Sequence, residues 1–134
     1  MKKFHSTALI GTGYWGSLIF NTLTKVTKNK IYIYDINKQN SKLLKNKFRE
    51  KAFVAKNTDE ILNNKTIKNI ILATHPSINY ELGKKILNKH KNLFIEKPIV
   101  TDAKKLSKLI KLAKSNKKIL MFGYIYLFNT FIKK

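Results

Sequence analysis

Apolar residues occur along the chain as short continuous runs separated by longer amphipathic stretches. The runs predict β-strands over residues 8–10, 31–34, 52–55, 70–73, 93–95 and 119–122, of which 52–55 is the weakest. The stretches between them predict helices over 14–26, 39–49 and 78–88, a short helix ending at Leu62, and a last helix from Ala103 onward. For three of these helices the predicted caps are Asn57 or Thr58, Ser77, and Thr101 or Asp102.

The strand candidates are continuously apolar and do not alternate with polar residues. This pattern is typical of strands buried on both faces of a parallel sheet. Because strands and helices alternate to the end of the chain, the predicted fold class is α/β, with a doubly wound parallel sheet of about six strands as in the Rossmann fold. A chain of 134 residues has room for one domain, so we assign all of 1–134 to it.

Composition excludes several kinds of site. The chain has no cysteine, which rules out disulfides and thiolate metal sites. Its three histidines, His5, His75 and His90, show no ligand spacing, so no metal site is predicted. The apolar stretch after the first residues is too short for a signal peptide, and 119–128 is too short to cross a bilayer. We therefore expect a soluble cytoplasmic protein that does not bind membranes.

A formal net charge of +21 raises the alternative of a small nucleic-acid-binding protein. Arg49 is the only arginine, although phosphate and base recognition favour the guanidinium group. The lysines are spread along the whole chain, and lysine, asparagine and isoleucine, all abundant here, share A/T-rich codons. We therefore favour compositional drift over a nucleic-acid function.

Residues 11–16 form a G-x-G-x-x-G motif that follows a predicted strand and opens a predicted helix, the context that a dinucleotide-binding loop needs. In such a loop the first glycine allows a tight turn, the second lets the backbone approach a pyrophosphate, and the third permits close helix packing. The N–H groups at the helix N-terminus then face the phosphates. The predicted phosphate loop consists of Gly11, Thr12, Gly13, Tyr14, Trp15 and Gly16.

Asp35 ends the second predicted strand, nineteen residues after Gly16. Dinucleotide-binding folds carry at this place an acid that binds the adenosine ribose, although an acid at a strand end is also a common turn or cap residue. We include the neighbouring Asn37 and Lys38 in the predicted cofactor site. Because a carboxylate repels a 2′-phosphate, NAD is favoured over NADP, while Lys38 keeps NADP possible.

Two further segments follow strands whose carboxyl ends should meet at the ligand-binding edge of the sheet. Ala73, Thr74 and His75 follow the fourth strand, and Glu96-Lys97-Pro98 follows the fifth. His75 could contact a ligand or be an ordinary polar loop residue. Lys97 could hold a substrate hydroxyl and help to move its proton, or it could be one more solvated lysine.

Read together, these motifs resemble the Gfo/Idh/MocA family of sugar and inositol oxidoreductases. Gly-Thr-Gly-Tyr-Trp-Gly at 11–16 is similar to the form found in its nucleotide-sugar branch, and Glu-Lys-Pro at 96–98 is similar to its best-known signature. Residues 73–82 resemble the family's loop and helix after the fourth strand, and 123–129 the segment where its chain leaves the sheet. The order of all four motifs extends the resemblance over essentially the whole chain.

The resemblance implies that Gly11, Gly13, Gly16 and Asp35 bind NAD(P). It also implies that Thr74 and Glu96 lie near the nicotinamide and that Lys97 is the catalytic residue touching both substrate and cofactor. The chain departs from the family where histidine or proline is common, with Asn79, which we keep in the predicted cofactor site, and with Tyr124 and Thr130.

Family members continue into a second domain on an antiparallel sheet, which supplies most of the sugar pocket and the usual oligomer interface. This chain ends at Lys134, so we expect the C-terminal substrate domain to be absent. The expected protein is a cofactor-binding domain that is inactive on sugars without a second domain, as a truncated product or half of a split enzyme. A non-catalytic NAD-binding module remains an alternative.

Residues 119–132 are rich in aromatic and aliphatic side chains. Only the first four fit a buried strand, and exposed apolar patches usually mark an interface. We expect a homo-oligomer or a partner subunit to cover this C-terminal segment, although a helix that folds back over the sheet edge would serve the same purpose.

Overall fold

The computed structural model describes residues 6–124, which form six strands and five α-helices. The strands are β1 (Ser6–Ile10), β2 (Ile31–Tyr34), β3 (Ala52–Val54), β4 (Ile67–Leu72), β5 (Asn92–Ile95) and β6 (Leu120–Phe122). The helices are α1 (Tyr14–Val26), α2 (Lys38–Phe48), α3 (Thr58–Asn63), α4 (Pro76–Asn88) and α5 (Ala103–Ser115), with a 3-10 turn at Arg49–Lys51. Residue 130 and most of the C-terminal apolar segment lie outside the described residues.

The strands form one parallel sheet in the order β3-β2-β1-β4-β5-β6. This is the doubly wound order of the Rossmann fold, so the predicted fold class is confirmed. From β1 the chain proceeds outward through β2 to β3, and it then crosses back to place β4 on the other side of β1. The topological switch point therefore lies between β1 and β4. Ile10 of β1 pairs there with Leu72 of β4 and, on its other side, with Tyr34 of β2. The loops after β1, β2 and β4 therefore emerge side by side.

The helices divide between the two faces of the sheet. One core cluster joins α1 and α2 to the first half of the sheet through Leu9, Phe20, Ile31, Ile33, Leu44 and Ala52. The larger cluster joins α3, α4 and α5 to the other face, with fully buried residues that include Ala8, Ile61, Leu72, Ile86, Ile95 and Leu109. Because β1 carries Ala8 to one cluster and Leu9 to the other, it is buried on both faces.

The expectation that the strands are buried on both faces is wrong for the second half of the sheet. Phe94 is half-buried, and Ile119 and Met121 are 67% and 44% exposed. Among the described residues, the elements that follow β4 and β5 cross only the other face. They leave a groove of about 280 Å³ lined by Thr7, Leu23, Asn69, Ile70, Ile71, Asn92, Leu93, Phe94, Ile119 and Met121.

The helix starts follow the predicted capping chemistry with one correction. Asn57 caps α3 through Glu60 N–H at 2.9 Å, and Asp102 caps α5 through Lys104 N–H at 2.7 Å. Ser77 does not cap α4, because that helix begins at Pro76 and its cap residue is His75. Proline suits a first helical position, where its fixed φ is favourable and its missing N–H costs no helical bond. No helix within residues 6–124 is long and apolar enough to cross a membrane.

Candidate cofactor-binding cleft

A cleft of about 340 Å³ opens at the carboxyl edge of the sheet, where the loops after β1, β2 and β4 meet. Its walls are largely apolar and include Ile36, Ile78 and Leu82, and Asp35 is the acidic residue that lines it. The full lining is Ile10, Gly11, Gly13, Tyr34, Asp35, Ile36, Ala73, Thr74, His75, Ile78 and Leu82. The topology therefore brings together residues from three of the four segments in which the sequence predicted cofactor contacts, whereas Glu96 and Lys97 of the fourth segment are not among the lining residues.

The three glycines of the motif have different structural requirements. Gly11 has a φ of +91°, which only glycine adopts readily, and a Cβ there would overlap the carbonyl oxygen of Ala73. A Cβ on Gly16 would overlap the Gly11 carbonyl oxygen, which confirms its predicted role in close packing. Gly13 has no neighbour within 4 Å of its Cβ position, so the fold itself leaves space at this point of the loop.

The N-terminus of α1 has no side-chain cap. Its cap residue is Gly13, and its first turn contains no acidic residue. Each of the other four α-helices has a capping side chain, from Asn37, Asn57, His75 and Asp102. Within residues 6–124, the first-turn N–H groups of α1, which carry the positive end of the helix dipole, therefore lack a side-chain acceptor, an arrangement that suits an anion.

Asp35 ties the end of β2 to the phosphate loop. Its Oδ2 accepts hydrogen bonds from Thr12 N at 2.6 Å, Thr12 Oγ1 at 3.2 Å and Asn40 Nδ2 at 3.3 Å, while its Oδ1 accepts one from Asn37 N at 2.8 Å. Thr12 is buried, and its hydroxyl lies 3.3 Å from that of Ser41 on α2. Sequence reasoning missed Asn40 and Ser41.

Asn37 and Lys38 lie beside Asp35 at the start of α2 and are exposed. Asn37 uses its side-chain oxygen to cap α2 through Gln39 N–H at 3.1 Å. Lys38 is the first residue of that helix. Neither predicted contact residue is among those that line the cleft, although the preceding Ile36 is.

Asn79 joins two loops of the site and is itself completely buried. Its Oδ1 accepts a hydrogen bond from Thr74 Oγ1, and its Nδ2 donates to the carbonyl oxygens of Ile99 at 2.8 Å and Pro98 at 3.3 Å. The amide thus fixes the loop after β4 against the loop after β5, a positioning role that the sequence did not indicate.

His75 is exposed on the cleft wall. Its Nδ1 lies 2.8 Å from Ser77 Oγ and 3.3 Å from Ser77 N, which it caps. The capping role requires Nδ1 to be unprotonated, so the neutral ring carries its proton on Nε2.

Glu96 and Lys97 follow β5. Glu96 Oε2 accepts the backbone N–H of Lys97 at 2.6 Å, and a Cβ on Gly123 would lie 2.7 Å from the same oxygen. Lys97 is exposed, and its Nζ lies 5.1 Å from the centroid of the Trp15 ring. The predicted catalytic residue therefore contacts Trp15 of the G-x-G-x-x-G motif and lies at the carboxyl edge of the sheet, where the cleft also opens.

A known protein family matches most of the chain. The family described as "Oxidoreductase family, NAD-binding Rossmann fold" (GFO_IDH_MocA) matches residues 5–124. An uncharacterized oxidoreductase of Schizosaccharomyces pombe is 26% identical over 117 residues, which are 85% of this chain and 32% of that protein. The chain spans less than a third of the length of the curated relatives that it matches.

Solved structures share the fold. UDP-N-acetylglucosamine 3-dehydrogenase from Acidithiobacillus ferrooxidans has a TM-score of 0.85 at 19% identity, over 97% of this chain and 42% of that one. Biliverdin reductase from Synechocystis, solved with biliverdin and NADP+, has a TM-score of 0.83 at 18% identity, over 92% of this chain and 39% of that one. The family match covers all of the described residues, so this chain belongs to the Gfo/Idh/MocA oxidoreductase family and comprises its NAD-binding Rossmann domain.

Proposed function

We propose that this domain binds NAD(P) in the cleft at the carboxyl edge of the sheet and serves an oxidoreductase that acts on a hydroxyl group of a sugar or nucleotide sugar. The observation that carries the proposal is the uncapped N-terminus of α1, flanked by the open space at Gly13 and by the carboxylate of Asp35. A pyrophosphate is the anion that such a loop and helix N-terminus accommodate.

The cleft residues fit the parts of a dinucleotide in order. Gly13 and the first turn of α1 would hold the pyrophosphate, and Asp35 would accept hydrogen bonds from the adenosine ribose. Asp35 Oδ1 has a single donor among the described residues, Asn37 N, and so retains accepting capacity. The apolar side chains of Ile36 and Ile78 would flank the adenine. We propose NAD as the preferred cofactor, because the Asp35 carboxylate repels a 2′-phosphate, although the adjacent Lys38 weakens that preference.

Lys97 is the residue that we propose to act on the substrate. A bound nicotinamide would supply a hydride acceptor for the carbon that bears the hydroxyl group, and the hydroxyl proton would have to pass to a base. The Lys97 amine would hold this hydroxyl and help to move its proton. Glu96 fixes the backbone of Lys97 through the 2.6 Å hydrogen bond, and Asn79 fixes the loop that follows.

We propose that the domain by itself does not oxidise sugars. Most of the length of its curated relatives lies outside the matched part, and we propose that a further domain of that kind supplies the sugar pocket. Holding two reacting groups in the right geometry lowers the activation barrier by on the order of 7–11 kcal/mol in favourable cases. Lys97 alone does not position the sugar in this way. A UDP-sugar is the substrate class we favour, by the resemblance of residues 11–16 and the likeness to a UDP-N-acetylglucosamine dehydrogenase.

Isothermal titration of purified 1–134 with NADH, NADPH and duplex DNA at physiological salt tests the proposal. We expect saturable NADH binding, weaker NADPH binding and no comparable DNA binding. Salt-sensitive DNA binding without NADH binding would favour the nucleic-acid alternative and contradict the proposal. Turnover of a UDP-sugar by 1–134 that Lys97→Ala abolishes would contradict the need for a further domain.

A further inference from the structure

The ammonium group of Lys97 lies over the face of the Trp15 ring, with Nζ 5.1 Å from the ring centroid. Trp15 is the only tryptophan of the chain, and its side chain is 54% exposed. Tyr14 supports the ring by an edge-to-face contact with centroids 5.5 Å apart. Two residues that are far apart in the sequence thus form a cation–π pair at the edge of the cleft.

Within residues 6–124 the structure gives Lys97 Nζ no hydrogen bond and no ion pair, so the ring is its partner there. The adjacent carboxylate does not serve, because Glu96 Oε2 accepts the Lys97 backbone N–H and packs at Gly123. A flexible lysine side chain at an exposed position otherwise samples many rotamers. The Trp15 ring therefore restricts where this ammonium group lies.

We propose that Trp15 is a positioning residue that holds the Lys97 amine toward the substrate end of the cofactor cleft. The inference rests on the proposed function, since it assigns a purpose to the contact within that site. An aromatic face attracts a cation through its quadrupole and occupies none of its N–H groups in a directed hydrogen bond. A carboxylate partner would take up those donors, whereas the ring leaves them free for a substrate hydroxyl.

Trp15 also connects two parts of the site. Its backbone is in the first turn of α1, where we propose the pyrophosphate to bind, and its ring contacts Lys97 after β5. A single residue on a rigid helix therefore relates the position of the amine to that of the cofactor phosphates. This relation requires an aromatic ring, so phenylalanine or tyrosine should replace tryptophan in part and leucine should not.

The test is NMR of lysine side chains in 1–134, without and with saturating NADH. In the wild type, the protons next to Lys97 Nζ should resonate upfield of those of exposed lysines that lie over no aromatic ring, owing to the ring current of Trp15, and should remain shifted with NADH bound. Trp15→Phe and Trp15→Tyr should retain part of the shift, and Trp15→Leu should remove it. The single Trp15 emission band should change in Lys97→Gln.

Tyr80→Leu is the matched control, because Lys105 Nζ lies 5.4 Å from the Tyr80 ring centroid at a site on α4 and α5. This variant should move the Lys105 resonances and leave those of Lys97 unchanged. Lys97 resonances that are unaffected by Trp15→Leu, or a shift that disappears when NADH binds, would overturn the inference. NADH titration of the same samples distinguishes a failure of the Trp15 inference from a failure of the proposed function. The latter would appear as absent NADH binding in the wild type.

Discussion

The carboxylate of Glu96 occupies the space into which any side chain at position 123 would project. A Cβ on Gly123 would lie 2.7 Å from Glu96 Oε2 and 2.9 Å from Oε1. The chain leaves β6 at this glycine, whose N–H donates to the Ile95 carbonyl oxygen at 2.9 Å. Gly123 therefore leaves room for the acid that holds the Lys97 backbone.

We expect Gly123→Ala to weaken NADH binding several-fold while changing stability by less than about 1 kcal/mol. The methyl group displaces a flexible carboxylate and not the backbone, so the free energy of unfolding should change little. The displacement breaks the hydrogen bond from Lys97 N to Glu96. Isothermal titration and thermal unfolding measure the two effects. In the control Gly83→Ala, the new Cβ meets Leu93 and Leu109 in the core at 3.2 and 3.3 Å and should leave NADH affinity unchanged.

Gly13→Val should abolish detectable NADH binding and leave the protein folded. The Cβ position at Gly13 has no neighbour within 4 Å, so the side chain fills only space that we assign to the pyrophosphate. Gly16→Val should instead unfold the domain or severely destabilise it, because its Cβ overlaps the Gly11 carbonyl oxygen. Circular dichroism and NADH titration distinguish the two variants. A Gly13→Val protein that binds NADH like the wild type would show that the phosphate loop is assigned wrongly.

Asp35→Ala should weaken NADH binding and reduce the preference for NADH over NADPH. The change removes the ribose acceptor and the charge that repels a 2′-phosphate. It also removes the hydrogen bonds to Thr12, so we expect the free energy of unfolding to fall by about 1–3 kcal/mol. The control is Asp59→Ala on α3, which removes the same charge at an exposed position and should leave the NADH to NADPH ratio unaltered. An unchanged ratio in Asp35→Ala would contradict the ribose assignment.

Lys91 should make stability depend on pH in the alkaline range. The residue lies at the amino edge of the sheet, is 4% exposed, and donates from Nζ to the carbonyl oxygens of Asn64 at 2.7 Å and Ile67 at 2.6 Å. Burial, and then the nearby ammonium groups of Lys68 and Lys89, lower its pKa from the usual 10.5. At a pH below this lowered pKa, Lys91 is protonated in both the folded and the unfolded protein. The free-energy cost of burying its charge then reduces the stability of the folded state in full.

As the pH rises through that lowered pKa toward 10.5, the unfolded chain binds more protons at this site than the folded one, so Lys91 adds stability with rising pH. Lys91→Met should lack this contribution. At neutral pH it should lose about 1–3 kcal/mol, because buried carbonyl oxygens lose a charged donor. Urea unfolding at several pH values measures both effects, with the exposed Lys65→Gln as control. Parallel pH profiles for wild type and Lys91→Met would contradict the prediction.

We expect the chain to self-associate or to require a partner subunit, despite a net charge of +21 that keeps molecules apart. The described part of the apolar C-terminal region exposes Ile119 and Met121, which line the groove on the sheet face. The apolar residues from 125 to 132 lie outside the described residues. Sedimentation velocity at several concentrations and moderate salt should show association that Met121→Lys reduces. A monomer at every concentration would contradict the expectation.

The sequence could predict the elements because their signals are local. Residues 14–26 and 31–34 were predicted with the bounds that the structure shows, since helical periodicity and a run of isoleucine and tyrosine are properties of neighbouring residues. The start of α4 was predicted too late because Ser77 is a good cap by type, whereas Pro76 and His75 set the actual start. The positions of the glycine motif at the start of α1 and of Asp35 after β2 could be predicted from their spacing, because the loop and strand end impose that spacing on the chain.

Other relationships depended on the order of strands in the sheet. Asn79 is a polar helix residue in the sequence, and only the adjacency of β4 and β5 shows that its amide joins two loops. The pairing of Lys97 with Trp15, among so many lysines, likewise follows from β5 ending near the start of α1.

What the sequence by itself determined was the succession of strands and helices, the glycine-rich loop after β1 and the acid that follows β2, since each depends on residues close together in the chain. Only the tertiary structure decided which side chains from different loops meet, and which sheet face the described helices leave open. Contacts of that kind depend on strand order and crossover side, which local hydrophobic patterns do not specify. For this reason the partners of Lys97, Glu96 and Asn79 could be identified only in the folded domain.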